Sequence, residues 1–503
     1  MKPLLLYNNI EFDLKQPSPW NEKDMLTDLD LDTLFKSMAG KDDVVYEVVK
    51  KTISTAMQND AGTIFHRQEI LKDCIANANS LHALYDITVA GLETRKTGWL
   101  GVFSRHPSGV VFDSIHTIEN FVNILRELRS VADENSSKFN SEGFKRFFGM
   151  LQDELTDDYL AEIKEHLNML QFKDGTLISY NLGKENKGIN PQLHAYHAAR
   201  KNWFQRLFGP KPKFYTFYIH PRDESGARAL SDLKNKGINL VADALGKSVD
   251  HILHFFIQLQ TELAFYIGCL NLYEQLQTMQ AVYCFPEAMP SHHRKHSFTN
   301  LYDVCLALKM HQKIIGNEMN ADDKNLVIIT GANQGGKSTF LRSVGVAQLM
   351  MQSGMFVPAA FFYANICSAL ITHFKREEDV EMKSGKLDEE LNRMNIIAEH
   401  ISPNSLLLFN ESFAATNELE GSEIAGQVVR ALTEKKLKVF FVTHMYAFAQ
   451  HFYSSAVNHT LFLRAERKED TSRTFKLIEA KPLETSFGID VYNKVFVSAG
   501  KKY

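Results

Sequence analysis

Cysteine is scarce and scattered in this 503-residue chain: Cys74, Cys269, Cys284, Cys305 and Cys367 form no C-x-x-C pair and are odd in number. That excludes a disulfide framework and a zinc ribbon, and it points to a reducing compartment. Long apolar runs are missing too. The opening MKPLLLYNNIEF holds only three consecutive leucines, too few for a signal-peptide core, and no window approaches the ~18 uninterrupted apolar residues of a membrane helix. Neither sign of charge dominates. Lys plus Arg is 56 and Asp plus Glu 60, a formal net charge of −4, which excludes a globally basic protein and leaves room for a local basic patch. Internal repeats and low-complexity tracts are absent. Together these absences predict a soluble, cytoplasmic chain of roughly two to four domains.

Proline is absent from residues 108–190 and 222–285, and both stretches carry helical periodicity. In the first, Ile115, Ile118, Phe121, Val122, Leu125 and Leu128 recur at three and four, followed by Phe144, Phe147, Phe148, Leu151 and Leu155. In the second, Ile252, Phe255, Phe256, Leu259, Leu263, Ile267 and Leu270 do the same. This is the spacing of one buried helix face. Residues 1–290 are thus expected to be mostly α-helical, with some very long helices. The pattern alone is equally that of a bundle with no chemistry.

Between the two stretches lies a segment of another kind. From Asn186 to Arg222 there is no acidic residue, and basic groups interleave with aromatics such as Tyr196, Trp203, Phe204, Phe208, Phe214 and Tyr215. TLISYNL (176–182) and KFYTFYIH (213–220) have the composition of short strands. Two readings stand side by side. The aromatics form a small core beneath solvated cations, or Arg200, Lys201, Arg206, Lys211 and Lys213 neutralise nucleic-acid phosphates.

Beyond Pro290 the pattern becomes α/β: NLVIIT (325–330), SLLLF (405–409) and KVFFVTH (438–444) read as buried parallel strands. The first is followed by GANQGGKS, which fits G-x-x-x-x-G-K-[ST], and then by a helix-like run from Thr339 to Met351. A strand, a glycine-rich turn and a helix start in that order gather backbone N–H groups around phosphate oxygens. In this reading Lys337 reaches the outer phosphates and the Ser338 hydroxyl meets Mg²⁺, so ATP and Mg²⁺ are the expected ligands. The second strand runs out at Asn410-Glu411, where Glu411 can act as general base toward water. Asn410 stands where an aspartate is expected, giving an oxygen ligand without its charge. His444, after the third strand, is the candidate contact to the reacting phosphate or water. SHHRKH (291–296), with Cys284 nearby, matches no standard metal spacing and reads as linker.

These residues also match a family. TGANQGGKSTFLRSVGVAQLMMQSGMFVPA (330–359) closely resembles the ATPase segment of MutS-type mismatch-repair proteins, with Asn333, Gly335–Thr339 and Gly354–Ala359 at that family's motif positions. NESFAATNELEG (410–421) resembles its acid-ended strand and following loop, FVTH (441–444) its switch histidine, and SFGIDVYNKV (486–495) its closing element. RQEILKDCI (67–75) is similar to the start of the family's core domain. The resemblance implies a multidomain chain: a helical core and lever domain over 1–290, then an ABC-type P-loop ATPase domain over 291–503. It further implies that Gly331, Ala332, Asn333, Gln334, Gly335, Gly336, Lys337, Ser338 and Thr339 hold nucleotide, with Ser338 and Asn410 on the metal. Asn317 falls near the adenine. A homodimer through the ATPase domain is implied, with Ser384 of SGK (384–386) reaching the partner's site.

Departures from the family pattern carry weight as well. Phe413-Ala414-Ala415 replaces the usual Gly-Arg-Gly after the catalytic acid. The core-like region begins near the amino terminus, so the mismatch-reading domains are expected to be absent. Phe285-Pro286-Glu287 reads as a junction before the ATPase rather than a Phe-x-Glu wedge. The basic segment 186–222 falls where the family's lever helices carry a clamp, implying contact with DNA backbone rather than base edges. The expected function is a MutS-like DNA-binding ATPase. The alternative is a slowly hydrolysing nucleotide switch, slowed by Asn410, that engages a protein.

Overall fold

The computed structural model describes residues 1–98, 106–173, 175–194, 216, 218–376, 385–455, 459–468 and 473–484. The chain divides into two compact units, each assembled from separate stretches of sequence: Met1–Pro3, His82–Lys138 and Lys145–Gln260 form one, and Leu4–Leu81, Phe139–Phe144 and Thr261–Tyr503 the other.

The first unit is helical, as the three-and-four spacing predicts. Its helix Pro107–Asn135 starts on a proline, where a missing N–H costs nothing. It buries Ile115, Ile118, Phe121, Val122, Leu125 and Leu128 along one stripe. Phe121 meets Phe256 of the helix Glu224–Thr278 with ring centroids 5.5 Å apart. That helix is 55 residues long, which accounts for the proline-free run; residues through 260 belong to the first unit and those from 261 to the second. A small hairpin pairs β1 (Leu177–Leu182) antiparallel with β2 (Gly188–His194). β1 coincides with the expected TLISYNL strand. In the expected KFYTFYIH strand, residues 213–215 and 217 lie outside the described residues, and 216 and 218–220 have no regular structure.

The second unit carries two sheets. The smaller holds β3 (Glu287–Met289), β4 (His296–Leu301), β5 (Asn317–Asn320) and β7 (Phe361–Asn365) in the order β3-β7-β4-β5. The larger holds β6 (Leu326–Gly331), β8 (Leu370–Phe374), β9 (Leu406–Asn410), β10 (Lys438–Val442), β11 (Thr460–Arg467) and β12 (Arg473–Glu479) in the order β12-β11-β6-β10-β9-β8. All its neighbours pair parallel except β11 with β12. β6, β9 and β10 are the three apolar runs of the sequence, and their residues are buried almost throughout because helices cover both faces. At the Phe-Pro-Glu tripeptide the Pro286 carbonyl accepts from Gln68 Nε2 at 3.0 Å, and Glu287 opens β3. Among the described residues no group of His, Cys, Asp and Glu gathers to hold a metal ion, and no helix is long and apolar enough to cross a membrane.

A buried polar knot holds the amino-terminal segment within this unit. Arg67 is fully buried, donates from Nε to the Leu6 carbonyl at 2.8 Å and from Nη1 to the Ser353 carbonyl at 3.3 Å, and lies 4.7 Å above the Tyr7 ring. Tyr266 donates to the Leu5 carbonyl at 2.6 Å. Glu262 Oε2 accepts from the backbone N–H of Leu5 at 2.5 Å and of Leu6 at 3.3 Å. Burial pushes the Glu262 carboxyl up to about 7, from an ordinary 4.5. The folded state therefore holds this proton more tightly than the unfolded chain does. Its contribution is fully present below about pH 4.5 and is lost as pH rises through about 7, a span worth about 3 kcal/mol. Glu262→Gln keeps an oxygen for both N–H groups without a charge to desolvate. The stability of this variant, read from urea midpoints, is expected to vary less between pH 5 and 8 than that of the parent.

Candidate nucleotide site

Three neighbouring strands of the large sheet end side by side. Register aligns Ile329 of β6 with Val442 of β10, and Val442 with Asn410 of β9. Hydrogen bonds continue one step past the strands, from Thr443 N–H to the Ile329 carbonyl at 3.0 Å and from Glu411 N–H to the Val442 carbonyl at 2.9 Å. The segments that follow these strands, 331–337, 443–444 and 410–411, thus share one edge. Ligands of open α/β sheets bind at the carboxyl ends of the strands, and this edge is one.

The first of these segments turns from β6 into the helix Lys337–Gln352. Gly331 and Gly336 have φ of +111° and +88°, which side chains rarely adopt. At Gly335 the constraint is space: a Cβ there would lie 2.7 Å from Ala465 Cβ and 2.8 Å from the Ala332 carbonyl oxygen. The turn closes over Lys337, which is buried and donates from Nζ to the carbonyls of Gly331 at 3.0 Å and Ala332 at 3.2 Å. Burial lowers the affinity of Lys337 for its proton, and the carboxylate charge of Glu411 opposes that. One ammonium N–H remains beyond the two carbonyls, suited to an anion at the helix start.

Ser338, next in the helix, donates from Oγ to Asn410 Oδ1 at 2.9 Å. Two oxygens from two chain segments meet there, a donor set that suits a hard cation such as Mg²⁺. Glu411 has a φ of +55°, a bend that carries its carboxylate out of the strand direction to hydrogen-bond His444 Nδ1. That bond raises the pKa of His444 above its ordinary 6.5, partly offset by burial. Lys337, Ser338, Asn410, Glu411 and His444 of the sequence prediction are therefore brought together.

Beside this edge opens a cavity of about 450 Å³. It is lined by Gln334, Gly336 and Thr339 of the turn, by Asn317 and Ile315, and by Phe475. Asn317 lines it, and its amide is engaged: Oδ1 accepts from Leu477 N–H at 2.7 Å and Nδ2 donates to the Phe475 carbonyl at 3.2 Å. Its polar atoms clamp β5 to β12 and so shape the wall. Phe475 was not predicted, nor were Tyr302, Leu306, Met310 and Ile315, which belong to no motif. Ser384 and residues 486–495 lie outside the described residues, as do Arg200, Lys201, Arg206, Lys211 and Lys213.

Comparison with known proteins agrees along most of the chain. Residues 59–279 match the family model described as the MutS2 N-terminal domain, and residues 327–499 match MutS domain V. This chain belongs to the MutS family. It is 24% identical over 383 residues to the DNA mismatch repair protein MutS of Lactobacillus acidophilus, covering 66% of this chain and 44% of that protein. It is 31% identical over 184 residues to the protein of the same name from Thermotoga maritima, covering 36% of this chain and 23% of the relative. Human MutS protein homolog 4 is 25% identical over 264 residues, covering 48% and 28%. The MutS-family chain thus spans less than half the length of these relatives. Its second matched region starts at 327, within β6, and contains every catalytic candidate.

The pairing of His444 with Glu411 yields a direct test. A histidine whose pKa is raised by its carboxylate partner stabilises the fold below its ordinary value, and this support is lost as pH rises through the raised one. Glu411→Gln is expected to bring the His444 titration midpoint, followed by NMR, down toward the ordinary 6.5.

Proposed function

We propose that this MutS-family chain is a DNA-binding ATPase, a P-loop engine of the ABC type coupled to helical levers. The observation that carries the reading is the convergence of Lys337, Glu411 and His444 at the ends of three adjacent parallel strands, beside a cavity large enough for a nucleoside. In this reading the chain divides into a lever part over 1–290 and an engine over 291–503. Gly331 to Thr339 hold the phosphates, the base enters the cavity between Asn317 and Phe475, and Ser338 and Asn410 hold Mg²⁺. The metal supplies charge neutralisation at the phosphates. Lys337 contributes its ammonium to the same charge, Glu411 takes a proton from the attacking water, and His444 orients the Glu411 carboxylate through their hydrogen bond. A homodimer through the engine, with Ser384 completing the partner's site, belongs to this proposal.

Lys337→Ala is expected to lose measurable ATP binding, read with a fluorescent nucleotide, because the buried ammonium has no substitute in the turn. Retained binding and turnover in that variant would contradict the site.

DNA is the proposed partner through the acid-free segment 186–222. Arg200, Lys201, Arg206, Lys211 and Lys213 contact phosphates in this reading, which makes binding sequence-tolerant. Each phosphate contact adds about 0.7–0.9 to the slope of log affinity against log salt. Neutralising all five is expected to weaken binding and flatten that slope by about 3.5–4.5. Unchanged affinity and slope would remove the segment from the interface.

One observation favours a second reading. Asn410 offers a neutral amide oxygen in the position where a carboxylate would offset Mg²⁺, and its oxygen already accepts from Ser338. A weaker hold on the metal slows hydrolysis and suits a nucleotide-dependent switch that engages a protein. Turnover measured with and without branched, mismatched and single-stranded DNA separates the two: stimulation by any of them supports the ATPase, and bound nucleotide with no turnover supports the switch.

A further inference from the structure

The turn that carries Glu411 contains a second left-handed residue. Phe413 has a φ of +61°, a backbone conformation that glycine adopts freely and an aromatic residue adopts at a cost. Two strained residues within three persist only if their surroundings hold them, and the holders are identifiable.

Glu390, largely buried on the helix Lys386–His400, accepts the Phe413 N–H at Oε2 over 2.6 Å. His373, buried on β8, stacks on the Phe413 ring with centroids 5.3 Å apart. Its ring lies between Ser412 Oγ, 2.7 Å from Nδ1, and the Glu390 carbonyl, 3.1 Å from Nε2. Burial keeps this ring neutral at ordinary pH by lowering its pKa to about 4. A carbonyl can only accept, so Nε2 carries the proton, and the one Ser412 hydroxyl proton faces two acceptors, Nδ1 and the His373 carbonyl oxygen at 2.6 Å. On the other side, a Cβ at Gly421 would lie 2.4 Å from the Phe413 carbonyl oxygen, so only glycine fits against the turn.

We infer that Glu390 and His373 are positioning residues that hold the Ser412–Phe413 turn in its left-handed form and so aim the Glu411 carboxylate at His444. They stand in for the freedom that glycine supplies elsewhere. The inference rests on the proposed hydrolysis only for its kinetic consequence; the geometry of the pair is independent of it.

The test compares Glu390→Ala, Glu390→Asp and Glu390→Gln in the full chain. In Glu390→Ala, kcat for ATP is expected to fall about ten-fold with KM changed less than about two-fold, as for a misaimed base. Glu390→Asp is expected to fall between, and Glu390→Gln, whose amide oxygen still accepts the Phe413 N–H, to stay near the parent. The His444 NMR titration supplies a readout that needs no turnover. His444 is faced by Glu411, Lys375 and Lys337, and its midpoint is expected to drop in Glu390→Ala and Glu390→Asp and to hold in Glu390→Gln. If Glu390→Ala does not fold, the Asp and Gln pair carries the comparison. An unchanged His444 midpoint in a folded Ala or Asp variant, or a Gln variant as impaired as either, would overturn the inference. A parent chain without turnover whose His444 midpoint still moves as described would refute the ATPase reading alone.

Discussion

Parallel register among β6, β10 and β9 is the constraint on which the site depends. Hydrogen bonding aligns Ile329, Val442 and Asn410 in one row, so whatever follows each strand emerges at the same edge. The glycine turn, the histidine and the acid come from three separate stretches of the chain, yet a slip of one strand by one residue would separate them and turn its side chains to the opposite face. Burial enforces the register: Leu407, Phe409, Val439 and Phe441 belong to one core with Leu326 and Ile328, and any slip would turn them out of it. Chemistry at this edge is thus underwritten by apolar packing below it.

Charge is distributed sparingly over that frame. Lys337 is buried among carbonyl oxygens, where its ammonium is poorly solvated and so disposed toward an anion. Asn410 brings an oxygen without charge, and Glu411 is the nearest carboxylate in the sequence to it. The left-handed backbone at Glu411 and Phe413 lets that carboxylate leave the strand and meet His444, and neighbouring side chains hold the bend. Strain stored next to reacting groups is a common device where geometry must be fixed in advance.

The parts of this architecture that were legible in the sequence are those with a local signature. Buried parallel strands are apolar along their whole length, so Leu326 to Gly331, Leu406 to Asn410 and Lys438 to Val442 announced themselves. The helix faces around Phe121 and Phe256 followed from spacing, and the glycine turn from its pattern. What escaped was held by long-range contact. The Phe475 wall meets Asn317 across 158 positions, and the small sheet joins β3, β4, β5 and β7, whose mixed burial gives no clean period. Arg67, Glu262 and Tyr266 look like surface residues of helices until the amino-terminal segment is seen threaded against them. His373 and Glu390 are unremarkable in sequence for the same reason.

The central claim, that Glu411 is the base of a hydrolytic site built around Lys337, is tested most directly by separating binding from turnover in Glu411→Gln. The side chain keeps its size and one oxygen but cannot take a proton from water. The account predicts ATP affinity within about two-fold of the parent and turnover lower by about a hundred-fold or more, the loss expected for a general base. Turnover equal to that of the parent, with nucleotide bound equally well, would contradict it.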